Sequence, residues 1–354
     1  MEKVTNLIDF MQIICNRPNV LDYFDNDKKD NQQLSRMNEI VKEFMNLNDI
    51  ASKEDSKNVS VVNKLDQFVS QNYEYIFSYK YARERSAELN SSKGNPLSFF
   101  YRGVGNSTHP IASGIYRSSE RHEENYYFNE ISVRCPEAFH AFDNLEKLTY
   151  MQHYGCPTRL LDITSNPLVA LYFACEKEDK HDGIVYIFGV DNAAVLYANS
   201  DRIQMLSKVA EFKKRDQDKL RLLAYRNILK NKFPQHSNGK YKDAVLEQYY
   251  HAIKRNNGAF EREIVPYDML KPQFVQPNKD NPRILKQDGA FIVSGLDTDD
   301  TESNMKIHKY VVSEIFIPSS TKAKIRQELE YVGINQATLF PEVDKVADYL
   351  RKKA

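Results

Sequence analysis

Gln152, His153, Tyr154, Thr158, Arg159, Asp162, Thr164, Ser165 and Asn166 fall within fifteen consecutive positions, and the apolar run LVALYFA follows almost at once. Together these side chains supply donors, acceptors, an acid and a cation, the repertoire for holding and turning over an anionic ligand. Thr164-Ser165-Asn166-Pro167 is a helix-start pattern, with proline tolerated in the first turn because its missing N–H would be unpaired there anyway. Leu168 to Ala174 are apolar all round, which predicts a central, buried helix. A buried helix start presents N–H donors and a partial positive charge, an end suited to a phosphate. Gln152, His153, Tyr154 and Arg159 are placed to project toward that end, while Asp162 either fixes Arg159 or caps the helix. The competing reading is a polar network whose members satisfy one another and specify the fold, with His153 an ordinary core histidine.

Two distant stretches offer partners for this block. Arg102 lies between the aromatic run LSFFY and the glycines Gly103 and Gly105, which suit a close approach of backbone to an anion. The alternative for Arg102 is a buried bridge to Asp162 or Glu124. Gln287, with Gly289 two positions on, precedes the apolar run AFIV and reads either as a site residue or as a loop contact beside a tight backbone crossing. Arg117 and Arg121, near Glu120, Glu123 and Glu124, read as a charged helix surface. His109, His122, His140 and His153 share no metal-ligand spacing, nor do the four cysteines, so no metal is expected. The phosphate loop of nucleotide hydrolases, the G-x-S-x-G elbow and H-E-x-x-H are all missing.

The elements that must position these groups alternate in texture along the 354 residues. Residues 1–90 carry helical apolar spacing, with Val4, Leu7, Ile8, Met11 and Ile14 on one face and Ile40, Val41, Phe44, Met45 and Leu47 on a later one. FDNDKKDNQQLS is expected to be an exposed loop and NSSKGNP a polar break. LSFFYRG and IVYIFGV predict strands, residues 120–150 helix, and GAFIVSG and KYVVSEIFIP two further strands. KPQFVQPNKDNP reads as a proline-rich link and VGINQATLFPE as a loop between the closing helices, Ser320 to Tyr331 and Val343 to Lys352. These divisions give a helical region over 1–90, the first half of a core over 91–200, a basic helical insert over 201–275, and the rest of the core with the C-terminal helices over 276–354, all within one composite domain. Helices followed by helix–strand mixing predict an α+β fold.

Lysines and arginines number 49, as do acids, so the chain is not a polycation. Arg202 to Arg262 nonetheless holds 15 basic residues against 6 acidic. That run reads first as a solvated helical face and second as a surface for nucleic acid. The N-terminal stretch lacks a signal-peptide cleavage pattern, and no apolar run is long enough to cross a bilayer. With the scattered Cys15, Cys135, Cys156 and Cys175, expected to be reduced and mostly buried, this predicts a cytoplasmic protein.

FYRGVG (Phe100 to Gly105), QHYGCPTRLLDITSNPLVALYFA (Gln152 to Ala174), RILKQDGAFIV (Arg283 to Val293) and VGINQATLFPEVD (Val332 to Asp344) resemble successive blocks of the FRG-domain family over nearly the whole chain. In this sequence Tyr101 stands for the usual phenylalanine before Arg102, Cys156 for a common leucine and Ile163 for a common tryptophan. The order of an arginine on a strand, T-S before the helix and a late Gln-x-Gly is also similar to ADP-ribosyltransferases. That second likeness implies a small, largely antiparallel and split sheet with NAD in the cleft. It implies further that Arg102 clamps the diphosphate, Thr164 and Ser165 meet the nicotinamide ribose, Tyr154 or Tyr101 stacks on the nicotinamide, and Gln287 takes the third position. Those transferases commonly place a glutamate third. Gln287 cannot act as a base, so Glu124, Glu130 or Asp162 must serve, or the cleft binds nucleotide without turning it over. The expectation is transfer of ADP-ribose to a macromolecule, nucleic acid favoured, by a toxin or phage-defence effector with a neutralising protein partner. A non-catalytic module that senses a nucleotide or a phage component is the alternative.

Overall fold

The computed structural model describes residues 2–16, 31–53, 59–91, 97–117, 122–139 and 143–353. Residues 92–96 of the break NSSKGNP, residues 24–30 of FDNDKKDNQQLS, Glu120, Arg121 and His140 lie outside them. Asn90 and Ser91 instead end the helix Val59–Ser91, and residues 31–35, expected as loop, begin the helix Asn31–Lys53. Eight strands form one sheet: β1 (Glu2–Lys3), β2 (Leu97–Val104), β3 (Leu160–Thr164), β4 (Gly183–Asp191), β5 (Leu196–Tyr197), β6 (Gln273–Gln276), β7 (Gly289–Val293) and β8 (Val311–Ile317), in the order β1-β8-β4-β2-β3-β7-β6-β5. Only β1 with β8 and β5 with β6 pair in parallel among the described residues. The sheet is therefore mostly antiparallel, as expected of an α+β chain, but larger than the small one expected.

Pairing is uneven along that order. β2 matches β4 at eight positions and β3 matches β7 at five, whereas β2 and β3 meet only at Tyr101 opposite Thr164. The hydrogen-bonded sheet is thus split between β2 and β3. Side chains hold the two halves together. Phe100, Ile184, Tyr186 and Phe188 from one half pack with Leu161, Ile163, Phe274, Ala290 and Ile292 from the other. The Phe274 ring lies 5.8 Å from that of Phe100 and 5.9 Å from that of Phe188. Apolar burial across the split substitutes for ladder hydrogen bonds that the backbone there does not make.

Alternation sends Tyr101, Val185 and Ile187 to the opposite face. There they pack with Val169, Ala170 and Leu171 of the helix Pro167–Glu176 and with the helices Leu7–Cys15 and Ser319–Tyr331. The Pro167–Glu176 helix comes so close to β2 that a Cβ on Gly103 would sit 1.7 Å from the Ala170 carbonyl oxygen. At its start the Asn166 side chain accepts from the Leu168 N–H at 3.0 Å. At its far end the Lys322 ammonium donates to the carbonyls of Gly105 (2.6 Å), Lys177 and Glu178 (both 3.1 Å). A cation on the C-terminal end of a helix is favourable, and it ties the Ser319–Tyr331 helix to the sheet.

The β3-β7-β6 half is covered by a larger cluster built on the helices Val59–Ser91, Asn144–His153, Asp201–Lys208, Lys214–Arg226 and Ala244–Asn256. Part of the positive charge of the 202–262 run is spent within the fold. Arg202 pairs with Asp268, Arg226 with Asp66, and Arg221 with Glu302, which also accepts from Tyr225 and Lys306. Burial acts to raise the Glu302 pKa, but Lys306 and Arg221 outweigh it and hold the carboxyl down to about 2.

Two local expectations need correction. The link KPQFVQPNKDNP contains β6, a strand whose Phe274 and Val275 are buried against β7 between Pro272 and Pro277. VGINQATLFPE holds the short helix Gln336–Leu339, started by an Asn335–Thr338 capping box. The cysteines also differ from expectation: Cys175 is buried, Cys156 is half-buried, and Cys15 and Cys135 are exposed. No helix among the described residues is long and apolar enough to cross a membrane.

Gly103→Ala should cost about 3 kcal/mol or more, because the displaced atom is backbone in both partners and cannot rotate away. Urea unfolding of the purified variant measures this, and a midpoint equal to that of the parent would contradict the packing described.

Candidate functional site

A cavity of about 240 Å³ opens at the split. Tyr101, Arg102 and Gly103 of β2 form one side, and Asp162, Ile163 and Thr164 of β3 another. Val169 and Phe173 from the Pro167–Glu176 helix, Gln152 and His153 from the Asn144–His153 helix, and Arg283, Ile284 and Gln287 before β7 complete the wall. Segments far apart in sequence thus meet in one pocket.

Arg102 reaches across the split, and its Nη1 donates to the Asp162 carbonyl at 2.6 Å. Its acceptor is main chain, and among the described residues no carboxylate oxygen comes within salt-bridge distance of this guanidinium. Burial pushes Arg102 down to about 10, against the opposing pull of Asp162, so it remains charged at neutral pH. Arg283 lines the same cavity with its guanidinium 4.5 Å from the centre of the Phe340 ring, and no described carboxylate pairs with it either. Two arginines without an acidic partner give the cavity lining an excess of positive charge.

The Asp162 carboxylate faces this wall. Gln152 Nε2 donates to its Oδ1 at 2.7 Å, and Gln152 Oε1 accepts from the Thr158 hydroxyl, so the amide orientation is fixed from both ends. His153 Nε2 is 3.3 Å from Glu342 Oε1. Burial and the nearby Arg283 push the His153 pKa below its ordinary value, with Glu342 acting the other way. Gln287 donates from its side-chain amide to the Leu339 carbonyl at 3.0 Å, and its main-chain carbonyl accepts from the Thr164 hydroxyl at 2.7 Å. The helix start is not an open anion hole: Asn166 caps it, and Asn166 Nδ2 in turn meets Asp288 Oδ2 at 3.2 Å. The positive end of the site comes from guanidinium groups, not from the helix.

Of the residues expected to converge, Tyr101, Arg102, Gln152, His153, Asp162, Thr164 and Gln287 do so. Four lie elsewhere. Arg159 is fully buried and donates from its Nε to both Glu124 oxygens, at 3.1 and 3.0 Å, with Gln217 beside them. Glu124 is therefore consumed as the partner of a buried cation, away from the cavity wall. Tyr154 is 67% exposed and packs on Tyr150 and His153 outside the cavity. Ser165 is exposed, its backbone N–H bound to the Asp288 carbonyl. Glu130 pairs with Arg134 on a helix surface. Gly103 meets the Pro167–Glu176 helix backbone, where a ligand contact was expected. Sequence reasoning missed Arg283, Phe173 and Glu342. The signal for Arg283 was its place four residues before Gln287, one helical turn away on the same face.

Replacing Glu124 by Ala leaves Arg159 charged and buried, and should cost about 3–5 kcal/mol in urea unfolding. Parent-like stability would show that the pair is not structural. A histidine held below its ordinary pKa stabilises the fold above about pH 6.5, a contribution lost as pH falls through the folded value. Stability should therefore drop more steeply between pH 7 and 5 in the parent than in His153→Gln. Parallel profiles would remove this role for His153.

Residues 97–183 match the family model of the FRG domain. No curated protein matches the chain, and no solved structure does. The matched stretch runs from the start of β2 to the start of β4 and carries Arg102, Gln152, His153, Asp162 and Thr164, whereas Arg283 and Gln287 lie beyond it. The FRG domain thus supplies one wall of this cavity, and the following chain supplies the other.

Proposed function

We propose that the cavity binds NAD and that the protein transfers ADP-ribose from it to a macromolecule. The observation that carries the reading is that Arg102 and Arg283 line the same cavity, each without a described carboxylate partner. Planar guanidinium groups bind phosphate oxygens in pairs of charge-assisted hydrogen bonds, so the pair is suited to a diphosphate. The split between β2 and β3 agrees with the cleft implied by the transferase likeness. Tyr101 and Phe173 provide aromatic surface beside it.

In the transfer, the C1′–N bond to nicotinamide breaks and nicotinamide leaves with the electron pair. An oxygen or nitrogen of the acceptor bonds to C1′ and gives up its proton. Of the carboxylates considered from sequence, Asp162 is the one on the cavity wall, and we assign it that proton and the stabilisation of positive charge developing at C1′. Gln152 orients it. Gln287, bound to the Leu339 carbonyl, positions the wall. The exposed lysines and arginines of the 202–262 run that remain outside ion pairs, such as Lys240 and Arg255, favour nucleic acid as acceptor. Such an activity harms its own host, which fits a cytoplasmic toxin or phage-defence effector with a neutralising protein partner.

One observation favours a second reading, a sensor that binds nucleotide without turnover. The third position holds a neutral amide whose N–H is already engaged. Incubating the protein with NAD labelled in its adenylate phosphate, together with RNA, DNA and protein fractions, separates the two. The transferase reading predicts label on one fraction and released nicotinamide, both reduced roughly 10- to 100-fold in Arg102→Ala and unchanged in the surface control Lys180→Ala. Binding of NAD with no nicotinamide released under any condition would leave the sensor.

A further inference from the structure

A second cavity of about 240 Å³ adjoins the first, and Thr149, Asn281 and Ile284 line both. Its remaining wall includes Leu145, Tyr150, Ala198 and Pro277, with Glu146 and Asp280 as its charged residues. The two chambers are opposite in character. The first is lined by Arg102, Arg283 and His153 with Asp162, whereas the second has two carboxylates and no lysine or arginine on its wall. Thr149 Oγ1, between them, is buried and has no hydrogen-bond partner among the described residues, so a ligand crossing from one chamber to the other would satisfy it.

Neither chamber alone reaches the volume of about 300–1,000 Å³ usual for a site that encloses a whole ligand of this size. We infer that the second chamber takes the adenosine half of the dinucleotide whose diphosphate lies against Arg102 and Arg283, and that its acids select NAD over NADP. The inference rests on the reading of the first cavity as a dinucleotide site. Tyr150 and the prolines offer flat apolar surface to a base. A carboxylate accepts from the hydroxyls of a ribose diol but repels a phosphate in their place. Glu146 already accepts from the Asp143 N–H at 2.9 Å and from Asn278 Nδ2 at 3.3 Å, which fixes its carboxylate at the chamber wall. Asp280 is exposed at the mouth and pairs with no described cation. It is the residue placed to meet the ribose from solvent.

Calorimetric titration of NAD and NADP into the full chain, the Asp280→Lys variant and the Arg102→Ala variant tests this. The parent should bind NAD at least tenfold more tightly than NADP, a difference of about 1.4 kcal/mol. Asp280→Lys, an exposed substitution that leaves the fold intact, should shift the ratio at least tenfold toward NADP. Arg102→Ala should weaken both dinucleotides alike. Equal affinities in the parent, or a ratio unmoved by Asp280→Lys while Arg102→Ala still weakens binding, would overturn the adenosine chamber and spare the first cavity. Binding of neither dinucleotide would overturn both.

Discussion

The gap between β2 and β3 is the constraint on which the site depends. A continuous ladder there would satisfy its backbone groups internally and leave no room for a ligand. Instead the two strands touch at Tyr101 and Thr164 alone, and the Arg102 side chain takes up the Asp162 carbonyl that a ladder bond would otherwise use. The same guanidinium that closes the backbone account also gives the pocket its charge. An arginine is suited to this double task because its planar fork offers five donors, of which one bond to a carbonyl occupies a single direction.

Keeping the gap open requires support from both sides. The apolar face shared by Phe100, Phe188 and Phe274 prevents the halves from drifting apart. On the other face the Pro167–Glu176 helix lies against β2 at a distance only glycine permits, capped by Asn166 at the pocket and by Lys322 at the far end. The buried Arg159–Glu124 pair holds the chain just before β3. These contacts are costly to break and do no chemistry. They account for polar residues that in sequence look no different from the ones lining the pocket.

That distinction shows what the sequence could and could not reveal. The helix start at Asn166-Pro167 was legible because its chemistry is local: a side-chain oxygen two residues from the N–H it accepts. The strands LSFFYRG and IVYIFGV were legible from alternation and β-branched content. Arg159 and Glu124 were not separable from site residues, since they stand 35 positions apart in sequence and only the fold shows that each is the other's partner. QFVQ reads as linker because two prolines flank a strand of four residues, too short to show a period. For Arg283 the segment offers only its position one helical turn before Gln287, and its importance comes from lining the same cavity as Arg102, which distant chain closes. The family likeness expected over nearly the whole chain is matched only over residues 97–183.

The central claim is that a phosphate-bearing nucleotide sits in the split, between the two arginines. A crystal structure of the protein with ADP-ribose tests it most directly. The account predicts the diphosphate within hydrogen-bond distance of both Arg102 and Arg283, with β2 and β3 still bridged only at Tyr101 and Thr164. Nucleotide bound at another surface, with the Arg102 guanidinium still on the Asp162 carbonyl and solvent alone beside it, would contradict the account.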